Sequence, residues 1–378
     1  MVEGLGMIGY DALNLGRTDL LLPPDLLRKL AAGAAFPVLS ANIVDAAGTS
    51  PFKGWIVKEA GRLRVGIFGL SGNQPPALSG LPGRDLTVRD PSAAARAAVT
   101  ELRRSCDLVI ALSQLGLDGD ARLAREVPGI DIILGGFNRL VTATPRIEGA
   151  TLILQSGAKG MQLGRLGLQI VPGREGAWTA RAAARGGEAR VYDWTLVPLN
   201  TTLPDQPALA GLLQRHRELL RSRNLAEQAA TPSPPAPENP AYVGAAACGA
   251  CHPAQLRQWA ASKHATALAA LARKRQELNP ECVQCHVTGY GDSSGYRSGA
   301  AGGVDMGNVQ CEACHGFGRE HRGKGKIRSR VAEPVCRRCH STENSPTFKY
   351  EPYLKLLGEH TARYFSRKQA PSAAGSQR

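Results

Sequence analysis

The chain has 378 residues, enough for two or three domains, with 46 Lys/Arg against 32 Asp/Glu, a net charge of +14 and 5% aromatic residues. No stretch reaches the ~20 consecutive apolar residues that a membrane helix needs, and the positive charge is spread without aromatic interleaving, which argues against a nucleic-acid partner. Eight of the nine cysteines lie between Cys248 and Cys339.

The chain opens MVEGLGMIGYDALNLG, without the basic segment and apolar core of an export signal. It begins inside what reads as a fold, and a truncated N-terminus or a misassigned start is expected. Over residues 1–200 short apolar runs alternate with helical stretches. Arg64–Leu70, Asp107–Leu112, Ile130–Leu134 and Ala150–Leu154 read as buried strands, and Pro91–Arg104 reads as an amphipathic helix. This pattern predicts an α/β layered domain. Cys106, at the mouth of an apolar run, reads as a buried structural thiol. Leu163 to Val197 predicts an antiparallel set of strands. Ala208–Ala230 predicts a polar helix carrying His216, and Thr231–Pro240 a stiff Pro-rich linker. The expected layout is therefore a first domain over 1–200, a helix and linker over 201–240, a second domain over 241–365 and a disordered tail over 366–378.

Within the first domain, Gly9–Gly16 (GYDALNLG), Phe36–Ile43 (FPVLSANI), Ser113–Gly116 (SQLG), Gly129–Gly136 (GIDIILGG) and Gln155–Ala158 (QSGA) resemble successive landmarks of the 5′-nucleotidase branch of calcineurin-like metallophosphoesterases. That family binds two metals through Asp-x-His, Gly-Asn-His-Asp/Glu, a lone His and Gly-His-x-His. Here the second motif reads Gly16-Arg17-Thr18-Asp19, Gln114 stands where the lone His belongs, and the fourth reads Gly136-Phe137-Asn138-Arg139. The first would lie upstream of Met1. Two-metal hydrolysis needs ligands for both ions, so the resemblance implies a fold whose site has gone, serving as scaffold or docking surface.

The second domain carries C-x-x-C-H four times: Cys248/Cys251/His252, Cys282/Cys285/His286, Cys311/Cys314/His315 and Cys336/Cys339/His340. In this pattern two thiols add across the haem vinyl groups and the adjacent imidazole reaches the iron. Four c-type haems are the expected cofactors. Zinc could use the C-x-x-C pairs, but histidine is 8 of 378 residues. Its placement after all four pairs by accident is on the order of one in five million. A disulfide framework also leaves the histidines unexplained.

Few large apolar side chains lie in this domain, so the haems are expected to be its core. From Ala241 onward 20 Lys/Arg face 10 Asp/Glu, and propionates would offset much of that charge. The run Arg319–Arg330 reads as a solvated loop, or alternatively as a patch for an acidic redox partner. Covalent haem attachment implies a periplasmic or otherwise extracytoplasmic protein.

Trp259–Ala265 (WAASKHA), Cys285–Gly291 (CHVTGYG), Cys311–His321 (CEACHGFGREH) and Phe348–Leu354 (FKYEPYL) are similar to the cytochrome c-554 family of tetrahaem electron carriers. The resemblance implies a mainly helical, loop-rich multihaem fold with clustered haems, mostly bis-histidine, and one five-coordinate iron. It makes His264, His321 and His360 the expected distal ligands, with His264 on a helix starting at Pro253. Four proximal histidines and three spare ones leave one iron short, which is assigned to His286. Met306 or His216 are the residues that would fill it. The expected function is electron transfer between redox proteins. The alternatives are a haem enzyme acting on a small nitrogen or sulfur compound, and a redox-linked phosphoesterase.

Overall fold

Apolar runs separated by helical segments pair into one sheet in the computed structural model, which describes residues 1–72, 86–137, 139–171, 176–200, 202–230, 237–298, 304–321, 325, 327, 331–341, 344–345 and 347–357. The strands are β1 (Trp55–Ala60), β2 (Leu63–Leu70), β3 (Leu108–Ser113), β4 (Ile132–Gly135), β5 (Arg146–Glu148) and β6 (Thr151–Leu154). Their order is β1-β2-β3-β4-β6-β5, parallel from β2 through β6 with antiparallel β1 and β5 at the edges. Parallel neighbours need crossovers. The helices Pro91–Leu102 and Leu117–Glu126 supply two of them. The first starts where Asp90 accepts from Ala93 N at 2.7 Å with Pro91 at the first helical position.

Both faces of the sheet are covered, which is why its strands are apolar at nearly every position. Val109, Ala111, Ile133 and Ile153 pack with Ala95, Ala98, Leu102, Ala121 and Leu123 on the helical side. Their alternates Leu108, Ile132, Leu152 and Leu154 pack with Trp178 and Tyr192 of a second sheet. There Gln162–Ile170 pairs antiparallel with Arg190–Pro198 in an unbroken register. The expectation of a wholly antiparallel run is corrected at Trp178–Ala180, which joins Arg190–Tyr192 in parallel. The chain leaves Ala180 through a 3-10 turn at Arg181–Ala183 and returns in the same direction. Buried Asp131 ties the layers together, accepting from Arg103 at 2.5 Å, Arg190 at 2.6 Å and Val109 N at 2.7 Å. Cys106 is buried in the helical-side core, as its apolar setting predicts.

The chain divides into two compact units, Met1–Leu209 and Ala210–Arg378. This division falls near the start of the long helix Pro207–Ala230, whereas composition places the boundary at the Pro-rich stretch. The reason is visible along the helix: Glu218 pairs with Arg275 at 2.8 Å, Arg221 with Glu277 at 3.0 Å, and Asn224 donates to Leu278 O at 2.9 Å. The second unit is built from short helices at Gly244–Gly249, Pro253–Ala260, Ala267–Ala272, Pro280–His286, Cys311–His315, Glu333–Arg337 and Tyr350–Lys355. No described helix is long and apolar enough to cross a membrane. His360, residues 231–236 of the linker, residues 322–324, 326 and 328–330 of the basic run, and the tail over 366–378 lie outside the described residues.

Candidate functional site

Each C-x-x-C-H occupies about one helical turn, and the reason is periodicity: positions i, i+3 and i+4 share a face. His252 N and Cys251 N both donate to Cys248 O, at 2.9 and 3.2 Å, and His340 N and Cys339 N repeat this on Cys336 O, at 2.8 and 3.1 Å. Cys282/Cys285/His286 and Cys311/Cys314/His315 lie within the helices Pro280–His286 and Cys311–His315. None of the eight thiols is in a disulfide. Among the described residues no three His, Cys, Asp or Glu side chains converge as metal donors. Each motif thus presents its two thiols and its imidazole on a single helical turn.

The motifs are brought together in pairs. The Cys248 and Cys311 thiols hydrogen-bond each other, and that bond, followed by burial, holds the Cys248 thiol above its usual range. Cys285 and Cys339 form a second such contact, and Cys339 is pushed up to about 12 by burial first, then by Cys285 and last by Cys314. Cys314 is the second thiol of the third motif. This half-buried thiol acts on both pairs: its charge raises Cys339, and it opposes the hydrogen bond from Cys248 that holds Cys311 below its usual range. The physical reason is that Cys314 lies one helical turn beyond Cys311, so the third motif borders the fourth as well as the first. At Gly249 a Cβ would run into the Leu256 side chain, so glycine lets the turn carrying Cys248 and Cys251 lie against the helix Pro253–Ala260.

Histidines pair across the unit in a way that sequence order does not reveal. The His252 and His321 rings are 6.2 Å apart between centroids and near-parallel at 15°, and His264 and His340 are 6.1 Å apart, tilted by 54°. Two imidazoles that share one metal through bonds of about 2 Å place their ring centres roughly 6 Å apart. At these separations the two rings of either pair would be close enough to hold one iron. His321 Nδ1 lies 2.9 Å from Gly325 O and His286 Nδ1 lies 2.8 Å from Ala267 O. A carbonyl only accepts, so Nδ1 carries the proton and Nε2 is left as the ligand nitrogen. His340 Nδ1 faces Ser345 Oγ at 3.2 Å, and its ring stacks on Phe348 at 4.6 Å. Burial lowers the pKa of His264, with His340 adding to it, and burial followed by Arg337 lowers that of His340. Neutral imidazole is the form that binds metal.

His264 is not on the helix from Pro253, which ends at Ala260; it lies in a 3-10 turn, Lys263–Thr266. Ser262 breaks the helix with an extended backbone, its N and Oγ both donating to Trp259 O at 2.8 and 2.7 Å. The turn is held instead by Val309 N donating to His264 O at 3.1 Å and by the Trp259 indole donating to Val309 O at 2.7 Å. Met306 is buried, and its carbonyl accepts from Thr288 N just after the second motif. His216 is exposed on the long helix. Sequence reasoning passed over Glu312, a buried acid inside the third motif, and Gln310, whose Oε1 accepts from Ala245 N at 2.6 Å. The sequence shows an acid between Cys311 and Cys314 in a mostly basic unit but carries no sign of its burial.

In the first unit the degenerate motifs converge at the carboxyl ends of β3 and β4. The Arg17 guanidinium lies 5.6 Å from the Phe137 ring centre, and Gln114 packs against Gly16 and Gly136. Asp19 is engaged by Gly16 N at 2.8 Å. A guanidinium, an amide and a phenyl ring do not fit a two-metal centre. Asn138 lies outside the described residues.

The profile of the family described as cytochrome c554 and c-prime matches residues 247–316, covering the first three motifs. The first unit is similar to a 5′-nucleotidase of Vibrio cholerae serotype O1, 30% identical over 221 residues that cover 52% of this chain and 39% of the relative. It is likewise similar to protein UshA of Escherichia coli strain K12, 28% identical over 220 residues covering 52% and 40%. The matched stretch thus spans about two fifths of either relative. The 5′-nucleotidase precursor of Thermus thermophilus superposes with a TM-score of 0.49 at 24% identity, over 58% of this chain and 46% of that one. The chain places a region similar to 5′-nucleotidases ahead of a segment matched by the cytochrome c554 and c-prime family, and haem is the cofactor that this segment implies.

Proposed function

We propose that the protein is an extracytoplasmic c-type cytochrome that passes electrons between redox proteins through four covalently held haems. The observation that carries this is the combination of four C-x-x-C-H turns with two imidazole pairs about 6 Å apart, His252/His321 and His264/His340. Bound through two thioethers, haem supplies one-electron chemistry at iron. The chain's residues hold and shield it: Cys248/Cys251, Cys282/Cys285, Cys311/Cys314 and Cys336/Cys339 attach, and His252, His286, His315 and His340 are the proximal ligands. His321 and His264 would serve as distal ligands, His360 is the third expected one, and the iron of His286 would be the one left without a distal imidazole. Gly325 O and Ala267 O fix the tautomers of His321 and His286. An acidic surface on the partner would suit the chain's net charge of +14.

A second reading, a phosphoesterase linked to the redox unit, is favoured by the 30% identity to a 5′-nucleotidase. Arg17, Thr18, Gln114, Phe137 and Arg139 stand where that activity needs metal donors, and the first unit is proposed to be a metal-free scaffold. Protein matured in a periplasm should exceed the polypeptide mass by four haems and show both low-spin and high-spin iron. Apoprotein mass plus zinc would end the first reading, and turnover of nucleotides lost on substituting first-unit residues would establish the second.

A further inference from the structure

The second unit contains, among its described residues, one buried carboxylate. Glu312 is 3% exposed and sits directly after Cys311 in the third motif. Its oxygens accept from Val243 N at 3.0 and 3.1 Å, Gly244 N at 2.8 Å and Gly318 N at 2.7 Å. Val243 and Gly244 open the helix that carries Cys248, and Gly318 follows the third motif. One carboxylate therefore clasps the backbone of two attachment sites. Its partners are N–H dipoles, which hold a charge without neutralising it. The nearby cation Arg338 donates to Ala313 O at 2.8 Å and is itself exposed, so water screens it. The clasp is close-fitting: a Cβ at Gly318 would stand 2.9 Å from Glu312 Oε1 and 2.7 Å from Val243 Cγ2.

We infer that Glu312 is a positioning residue and a fixed negative charge that holds down the reduction potentials of the haems attached at Cys248/Cys251 and Cys311/Cys314. A buried anion favours the more positive ferric state over the ferrous one, and low dielectric extends its reach. The haems at Cys282/Cys285 and Cys336/Cys339, attached through other turns, are left the higher pair. Electrons would then come to rest away from Glu312.

This rests on the four-haem reading, so each sample is first counted for haem by pyridine haemochrome. A low count indicts that reading, and a full count leaves the inference to the redox titration. In Glu312→Gln with a full complement, two of the four haems should titrate about tenfold more reduced at a given poise, ~59 mV for a one-electron couple. The other two should stay in place. Gly318→Ala disturbs the clasp but keeps the charge, and should lower thermal stability while leaving the potentials within a third of that shift. Unchanged potentials in Glu312→Gln, an equal shift of all four haems, or the same shift in Gly318→Ala would overturn the inference. Should Glu312→Gln fail to mature, Glu312→Asp decides: potentials that stay low support the charge, and a full upward shift with the charge retained refutes it.

Discussion

Replacing Asp120 with Asn should stabilise the first unit at alkaline pH and leave it unchanged in acid. Asp120 is fully buried, accepts a short hydrogen bond from the Ser113 hydroxyl and receives Gln155 Nε2 at 3.5 Å. Burial raises its pKa from 3.8 to about 6, against the pull of those two hydrogen bonds. Because the folded value is the higher one, the carboxyl's contribution is complete below pH 3.8 and is lost as pH rises through about 6. At about 1.4 kcal/mol per unit, the charged form at pH 8 costs about 3 kcal/mol. Asn carries no charge and keeps an acceptor for Ser113, and turning the Gln155 amide over presents its Oε1, which has no hydrogen-bond partner, to the new N–H. Urea unfolding of the full chain, followed through Trp55, Trp178 and Trp194, should give Asp120→Asn an advantage of about 1–3 kcal/mol at pH 8 that shrinks as pH falls below about 6 and vanishes near pH 3. An equal difference at both pH values, or a loss at pH 8, would refute the argument.

Asp131→Ala should cost about 3–5 kcal/mol by the same assay, because it leaves the buried Arg190 guanidinium unpaired. His321→Ala in fully matured protein should convert one haem from low-spin to high-spin in electron paramagnetic resonance, whereas His216→Ala, at an exposed position, should change no spectrum. With manganese, zinc or cobalt added, the protein should turn over neither nucleotides nor phosphodiesters, and chelators should leave its haem spectrum and thermal transition unmoved. Protein made in a cytoplasm that cannot attach haem should retain the first unit and lose the second to limited proteolysis.

Much of the first unit was legible because its strands are buried on both faces and so read as apolar runs, and because Asp90 and Pro91 mark a helix start. The helix Leu117–Glu126 escaped notice. Its inward face includes Asp120 and two alanines, a pattern that mimics a solvated loop. Trp178–Ala180 was misread because pairing direction depends on how the chain returns, and three residues do not encode that. In the second unit the eight thiols and four adjacent imidazoles were legible, since attachment is a local, one-turn requirement. The pairings His252/His321 and His264/His340 were not, because they join residues far apart in the chain, and the place of Cys314 beside the fourth motif was hidden for the same reason. Glu312 was invisible for a further one: an acid in a short helix is ordinarily solvated, and nothing in C-E-x-C-H announces three backbone donors aimed at it.

The two units meet the cost of chain ordering in different ways, and this bears on what the chain can be. Phe68, Ile133, Leu152 and their neighbours give the first unit two continuous apolar layers around a sheet, sufficient by the usual scaling of core to surface. Among its described residues the second has one small cluster at Leu271, Val283 and Val287, two of whose residues flank His286 in the second motif. Helices of five to eight residues cannot sustain themselves in water, and here they are strung together by hydrogen bonds at Trp259, Gln310 and Glu312. Such a scaffold needs large apolar bodies between its turns, and planar macrocycles fixed at each C-x-x-C-H are bodies of that size, attached where the helices meet. The cofactors proposed to move electrons would then also be the ones that fill the interior between these helical turns.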